Sequence, residues 1–225
     1  MLQKVTFPFS GVQPAILPQL LPKTTSKAKR TTQHKPSHGS KTSGEILRKI
    51  TLPSGCVLQI VQADMAELSV DAVVNPTSSN FYMGGMAHYA HLLSLLSNTL
   101  GNLGSHYSFF KAHITDAPNL KARHVVHVNG PLWDSTLAGE RLSDLERCIE
   151  NCLRLASGKE LTSLAMPSIG SGRAGFPKAA AAETIVKTIK KFLNDNALVS
   201  LRDVQFVLYD QESIDCYVYE LNRTT

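Results

Sequence analysis

From Glu45 onward the sequence alternates short β-rich runs with amphipathic helical stretches, and that alternation leaves few architectures open. The runs ILRKITLP, CVLQIVQAD, DAVVN, AHIT, RHVVHVN, SLAMP and VQFVLYD each read as a strand bounded by turn residues. Residues 140–156 place Leu142, Leu145, Ile149, Cys152, Leu153 and Ala156 on one helical face. Residues 178–193 do the same with Ala182, Ile185, Val186, Ile189 and Leu193, and a last helix carries Ile214, Tyr217, Val218 and Leu221. The stretch HLLSLLSNTL predicts a further helix near 87–100, before Gly101 and Gly104 break the pattern. Strands interleaved with helices predict an α/β fold: a three-layer α/β/α sandwich around a mixed, largely parallel central sheet.

The front of the chain is different in kind. Residues 1–49 hold nine Lys or Arg and one acidic residue, Glu45, whereas residues 50–225 hold fourteen basic and seventeen acidic residues. The positive charge therefore belongs to the tail. Residues 23–45, KTTSKAKRTTQHKPSHGSKTSGE, have almost no large apolar side chain with which to offset ordering entropy, so a disordered basic linker is expected. Such a tail suits a nucleic-acid or chromatin partner, and is equally read as a solvated linker.

The four cysteines, Cys56, Cys148, Cys152 and Cys216, form no C-x-x-C pair, which argues against a zinc ribbon or a redox motif. Cys148 and Cys152 share a helix face and are expected to be buried as small apolar groups, reduced in a cytosolic or nuclear setting. No run approaches the ~18 apolar residues of a membrane span, and no secretory signal is visible.

In an α/β sheet, ligands bind beyond the carboxyl ends of the strands. Asp64 follows CVLQIVQ, where its carboxylate can accept hydrogen bonds from an amino group or cap a helix. Asn75 ends DAVVN, and Gly84–Gly85 can bring backbone N–H groups to an anion or simply turn the chain. The run PSIGSGRAGF, residues 167–176, lies between a strand and a helix and is rich in backbone N–H groups, as a phosphate cradle must be. It lacks the Gly-Lys-Ser/Thr of a Walker loop and the G-x-G-x-x-G spacing of dinucleotide enzymes, and Gly and Ser also mark plain turns. Tyr209 follows VQFVL, placed to stack on a base or to close the core edge.

Together these pieces resemble the macro domain family. The runs that carry the resemblance are VQAD (61–64), VDAVVN (70–75), GG (84–85), AHIT followed by NL (112–120), VVHVNGPLW (125–133), PSIGSGRAGFP (167–177) and FVLYDQESI (206–214). They keep the family's order over about residues 46–222 and look most like the macro domains of macro-histones. GVQPAILPQLLPKTT, residues 11–25, resembles the end of a histone two-A chain, where it docks on the nucleosome. The expected organisation is a docking-tail remnant at 1–22, the basic linker at 23–45 and a macro domain at 46–225. The helices of the histone fold are not in this sequence, which looks like a macro-histone truncated at its front or a product that kept only the docking tail.

The resemblance implies an ADP-ribose site with ADP-ribose as ligand and no cofactor. Asp64, with Met65 beside it, would receive the adenine amine, and Tyr209 would flank the base. Gly84 and Gly85 would approach the diphosphate from one side, and Ser168, Gly170, Ser171, Gly172, Arg173, Gly175 and Phe176 from the other. Ala174 would lie against the distal ribose, and Asn75 matches a ribose-side position. The hydrolytic members of the family carry Asn-x-x-Asn and a glycine run followed by Asp. Here Ser78 takes the second Asn position, Met83 and Met86 interrupt the glycines, His88 stands at the Asp position, and Ala117 replaces a strand-end glycine. The expectation is a non-catalytic, chromatin-associated, nuclear module. It would bind ADP-ribose or ADP-ribosylated protein, with histones and DNA met by the tail. The alternatives are a structural macro domain acting by protein contacts, or an ADP-ribosyl hydrolase.

Overall fold

The computed structural model describes residues 44–77, 111–196 and 199–223. The strands are β1 (Glu45–Thr51), β2 (Val57–Gln62), β3 (Ala72–Thr77), β4 (Ala112–Asp116), β5 (His124–Asn129), β6 (Ser163–Met166) and β7 (Asp203–Val207). The helices are α1 (Ala138–Gly158), α2 (Lys178–Asp195) and α3 (Gln211–Asn222). The strands form one sheet in the order β1-β2-β7-β6-β3-β5-β4. The five inner strands run parallel, and β1 and β4 close the two edges antiparallel. This is the mixed, largely parallel sheet that the sequence predicts.

The inner strands are buried on both faces, which is why they read as continuous apolar runs. In β3, Ala72 to Asn75 are all buried, as are Val125 to Asn129 in β5. One face presents Leu58, Ile60, Val74, Val126, Val128, Leu164, Met166, Val204 and Phe206 to the helices. Leu145, Cys148, Ile149, Cys152, Leu153 and Ala156 of α1 pack there, with Ile185, Val186, Ile189 and Leu193 of α2. Tyr217 of α3 tilts against Phe206 with ring centroids 4.9 Å apart. The helical stripes are therefore the expected ones, and burial pushes the Cys148 and Cys152 thiols up, away from reactivity. On the opposite face Val73, Val125, Ala165 and Val207 pack with Met65, Ala66, Ala117 and Ala122.

β1 begins at Glu45, the last residue assigned to the linker. The helix expected near 87–100, the glycines Gly84 and Gly85, and the departures at Ser78, Met83, Met86 and His88 lie outside the described residues, as do the docking tail and nearly all of the linker.

Candidate functional site

The parallel strands β2, β7, β6, β3 and β5 all finish at one edge of the sheet, so the loops that follow them converge there. Asp64, Tyr209, the loop 167–176 and Asn75 come from four of these strand ends. The edge is built by chain direction, since no two of these elements are close in sequence.

At the β2 end, Asp64 is exposed and caps the short 3-10 turn Met65–Glu67, its Oδ1 accepting from the Ala66 N–H at 2.9 Å. The capping reading of this carboxylate is therefore the one seen in the fold. Met65 is 1 % exposed and its side chain belongs to the core. Beside it, the Tyr209 hydroxyl donates to the Ala63 carbonyl. Burial and then the nearby Asp64 charge push the Tyr209 phenol up to about 12. The ring is half-buried against the second core cluster, close to Asp64.

The loop after β6 is shaped by two glycines. Gly170 has φ of 88° and Gly175 of 79°, the left-handed region that side chains disfavour. A Cβ at Gly170 would stand 3.0 Å from the Phe176 ring. The Phe176 N–H donates to the Gly170 carbonyl at 3.0 Å and the Gly175 N–H to that of Gly172 at 3.0 Å. Phe176 is buried and tilts against Trp133 with ring centroids 5.0 Å apart. It is the floor of the loop beneath Gly170. Trp133 entered the sequence reading only as the end of the run VVHVNGPLW, yet its backbone N–H donates to the Ala174 carbonyl at 2.7 Å and anchors the loop to the segment after β5.

The serines of the loop do not reach outward as hydroxyls. Ser171 Oγ donates to the Ser168 carbonyl at 3.0 Å. Ser168 Oγ is buried and turned inward, beside the equally buried Tyr217 hydroxyl. What the loop offers outward is its backbone and Arg173. The helix beyond it is suited to an anion: α2 starts after Pro177 with no side-chain cap and no acidic residue in its first turn. By contrast α3 is capped by Asp210, whose side chain accepts from Ser213 N–H, and carries Glu212 in its first turn. The open positive end of α2 follows directly on the glycine loop.

Asn75 stands apart. It is 2 % exposed, and its Nδ2 lies 3.1 Å from His127 Nδ1 on the neighbouring strand, where the two residues are in register. An amide donor on Nδ1 leaves the imidazole proton on Nε2, which donates to Thr115 Oγ1 at 3.0 Å. His127 is fully buried; burial, then the charge of cross-strand His113, lower its pKa to about 4. Asn75 therefore belongs to a buried network that joins β3, β5 and β4.

Elsewhere on the described surface, a groove of about 450 Å³ lies between α1 and α2, lined by Leu142, Ser143, Glu183 and Lys187 among others. Its Lys187 and Glu183 pair with each other at 2.6 Å, one turn apart on α2. Among the described residues no cluster of His, Cys, Asp or Glu could hold a metal, and no helix is long and apolar enough to cross a membrane.

Comparison with known proteins bears on family and fold. The macro domain family model matches residues 102–185, and the model for the C-terminus of histone two-A matches residues 1–30. Histone macroH2A1.1 of Capsaspora owczarzaki is 36% identical over 185 residues; the match takes in 80% of this chain, which spans half of that histone's length. A macro domain-containing protein of Listeria monocytogenes is 34% identical over 71% of this chain and 94% of its own. The O-acetyl-ADP-ribose deacetylase of Salmonella typhimurium is 36% identical over 74% and 94%. The Oceanobacillus iheyensis macrodomain, solved with ADP, superposes with a TM-score of 0.66 at 27% identity, over 77% of this chain and 94% of its own. On the sheet order, the loop geometry and these relatives, the chain belongs to the macro domain family.

Proposed function

We propose that this macro domain binds ADP-ribose, free or at the end of a modified protein, without hydrolysing it. The observation that carries the reading is the loop 167–176. Two positive-φ glycines shape it and Trp133 anchors it, and it leads into a helix N-terminus with no side-chain cap. The ligand's diphosphate would take backbone N–H groups of Gly170, Ser171 and Gly172, with Gly175 turning the loop, Ser168 and Phe176 supporting from below and Arg173 adding charge. Gly84 and Gly85 would close the other side. The adenine amine would donate to Asp64 beside the Met65 backbone, and Tyr209 would flank the base. Ala174 would border the distal ribose, and Asn75 would support that end from beneath through His127. The ADP complex of the Oceanobacillus iheyensis macrodomain supports this class of ligand.

The match of residues 1–30 to the end of histone two-A favours a nuclear, chromatin-bound setting in which the tail meets histones and DNA. Contacts of the basic tail with DNA would fade steeply with salt. A second reading, hydrolysis of O-acetyl-ADP-ribose or of an ADP-ribosylated protein, is favoured by the Salmonella relative. Against it stand Ser78 and His88, at positions where hydrolytic members carry Asn and Asp. A turnover assay on O-acetyl-ADP-ribose and on a mono-ADP-ribosylated protein should find no product. Release that His88→Ala abolishes would establish the second reading instead.

A further inference from the structure

We infer that Lys178 is a positioning residue that fixes the spacing between the two halves of this cleft, by tying the anion loop to the turn that carries Tyr209. The inference rests on the ADP-ribose reading and deepens it. Lys178 is the first residue of α2, two positions after the loop ends at Phe176. Its Nζ donates to Asp210 Oδ1 at 2.7 Å and to Glu212 Oε2 at 2.7 Å. Asp210 directly follows Tyr209 and uses the same Oδ1 to accept from the Ser213 N–H at 2.9 Å, capping α3. The lysine thus joins the starts of two helices that each follow one half of the cleft.

A lysine at a helix N-terminus opposes the helix dipole, so its place there needs a compensating reason. The two carboxylates supply it, and they also commit the ammonium group to the α3 side. Hydrogen bonds donated to Asp210 and then to Glu212 raise the Lys178 pKa, so the clasp stays charged across the neutral range. The far side of the Tyr209 turn is held as well. The Tyr209 hydroxyl donates to the Ala63 carbonyl, and the Leu208 N–H to the Val61 carbonyl at 3.1 Å. Asp64, Tyr209 and the anion loop are therefore linked in series, with Lys178 as the link between base side and phosphate side.

A ligand that reaches both halves should sense this spacing, and a ligand that occupies one half should not. The test uses the full chain with Lys178→Met and Glu212→Gln combined, which removes the clasp and leaves the local net charge unchanged. ADP-ribose, adenosine and inorganic pyrophosphate are titrated in 0.3 M salt, with thermal melting as a check of folding. The expected result is ADP-ribose affinity about three- to tenfold weaker, with adenosine and pyrophosphate within twofold of the parent. Lys178→Arg, which can keep both bridges, should bind all three like the parent. Unchanged ADP-ribose affinity in the double variant overturns the inference. So does an equal loss for pyrophosphate, which would make Lys178 a phosphate ligand. If the parent chain itself binds no ADP-ribose, the reading of the cleft fails first and this inference falls with it.

Discussion

Asp71 and Asp64 sit at opposite edges of the sheet and show two uses of the same carboxylate. Asp71, just before β3, accepts from the Thr162 N–H at 2.6 Å, the Thr162 hydroxyl at 2.8 Å, the Ser163 N–H at 3.2 Å and Arg123 at 2.6 Å. Its side chain is 15% exposed. Burial alone would raise its pKa, but the Thr162, Arg123 and Ser163 hydrogen bonds outweigh that and hold it at about 2. Asp64, beyond β2, is exposed and gives one oxygen to a short turn. At the amino edge the polar groups close the starts of β3, β5 and β6 on each other. At the carboxyl edge they are spread over the loops that follow the strands. On the proposed function, stability is concentrated at the first edge and recognition at the second.

The largest expected effect breaks the first edge. Asp71→Ala should lower stability by about 2–4 kcal/mol in denaturant unfolding, because it orphans backbone and hydroxyl donors of β6 and the Arg123 charge together. ADP-ribose affinity of the folded fraction should be unchanged. A loss below about 1 kcal/mol would mean that the two edges do not divide the work in this way.

The second effect lies between the edges, at His127. Its folded pKa of about 4 is below the ordinary value of 6.5. The folded chain resists protonation where the unfolded chain accepts it. The stability that the neutral ring contributes is therefore complete above about pH 6.5 and is lost as pH falls toward 4, by on the order of 3 kcal/mol. Unfolding measured across pH 7 to 4 should show this slope, and His127→Gln should flatten it. The carboxyls of Asp71 and Asp210, both held near 2, give up their contributions only at lower pH.

Much of the fold was legible because its signals are local. The stripe from Leu145 to Ala156 and the β-rich runs each lie within one element, so residue spacing alone exposes them. The glycine loop was legible for the same reason, since Gly170, Gly172 and Gly175 announce a tight turn in ten residues. What joins elements was hidden. Asp71 and Thr162 are 91 positions apart, and Lys178 and Asp210 are 32. Asn75 meets His127 only through the parallel register of β3 with β5, so a strand-end Asn that looked ligand-facing is buried. Phe176 looked like part of the loop's surface, whereas its packing under Gly170 makes it the floor. Direction of burial is a tertiary property, and sequence spacing does not carry it.

A smaller effect sharpens the second edge. Gly170→Ala places a Cβ 3.0 Å from the Phe176 ring at a φ of 88°. It should cost about 1–2 kcal/mol of stability and weaken ADP-ribose binding through the displaced loop. If the variant melts like the parent and binds equally, the loop backbone is not what holds the anion. Smaller still is the effect of Asp64→Ala on stability, about 1 kcal/mol or less through loss of the cap on a single 3-10 turn.

The same Asp64→Ala variant provides the measurement that bears most directly on the division between the edges. In a calorimetric titration with ADP-ribose, the parent chain should bind at one saturable site. Asp64→Ala should bind roughly ten- to a hundredfold more weakly, the loss of a hydrogen bond to a charged acceptor, while keeping its melting temperature within a few degrees. No saturable binding by the parent, or equal affinity in the two chains, would contradict the assignment of the carboxyl edge as the ADP-ribose site.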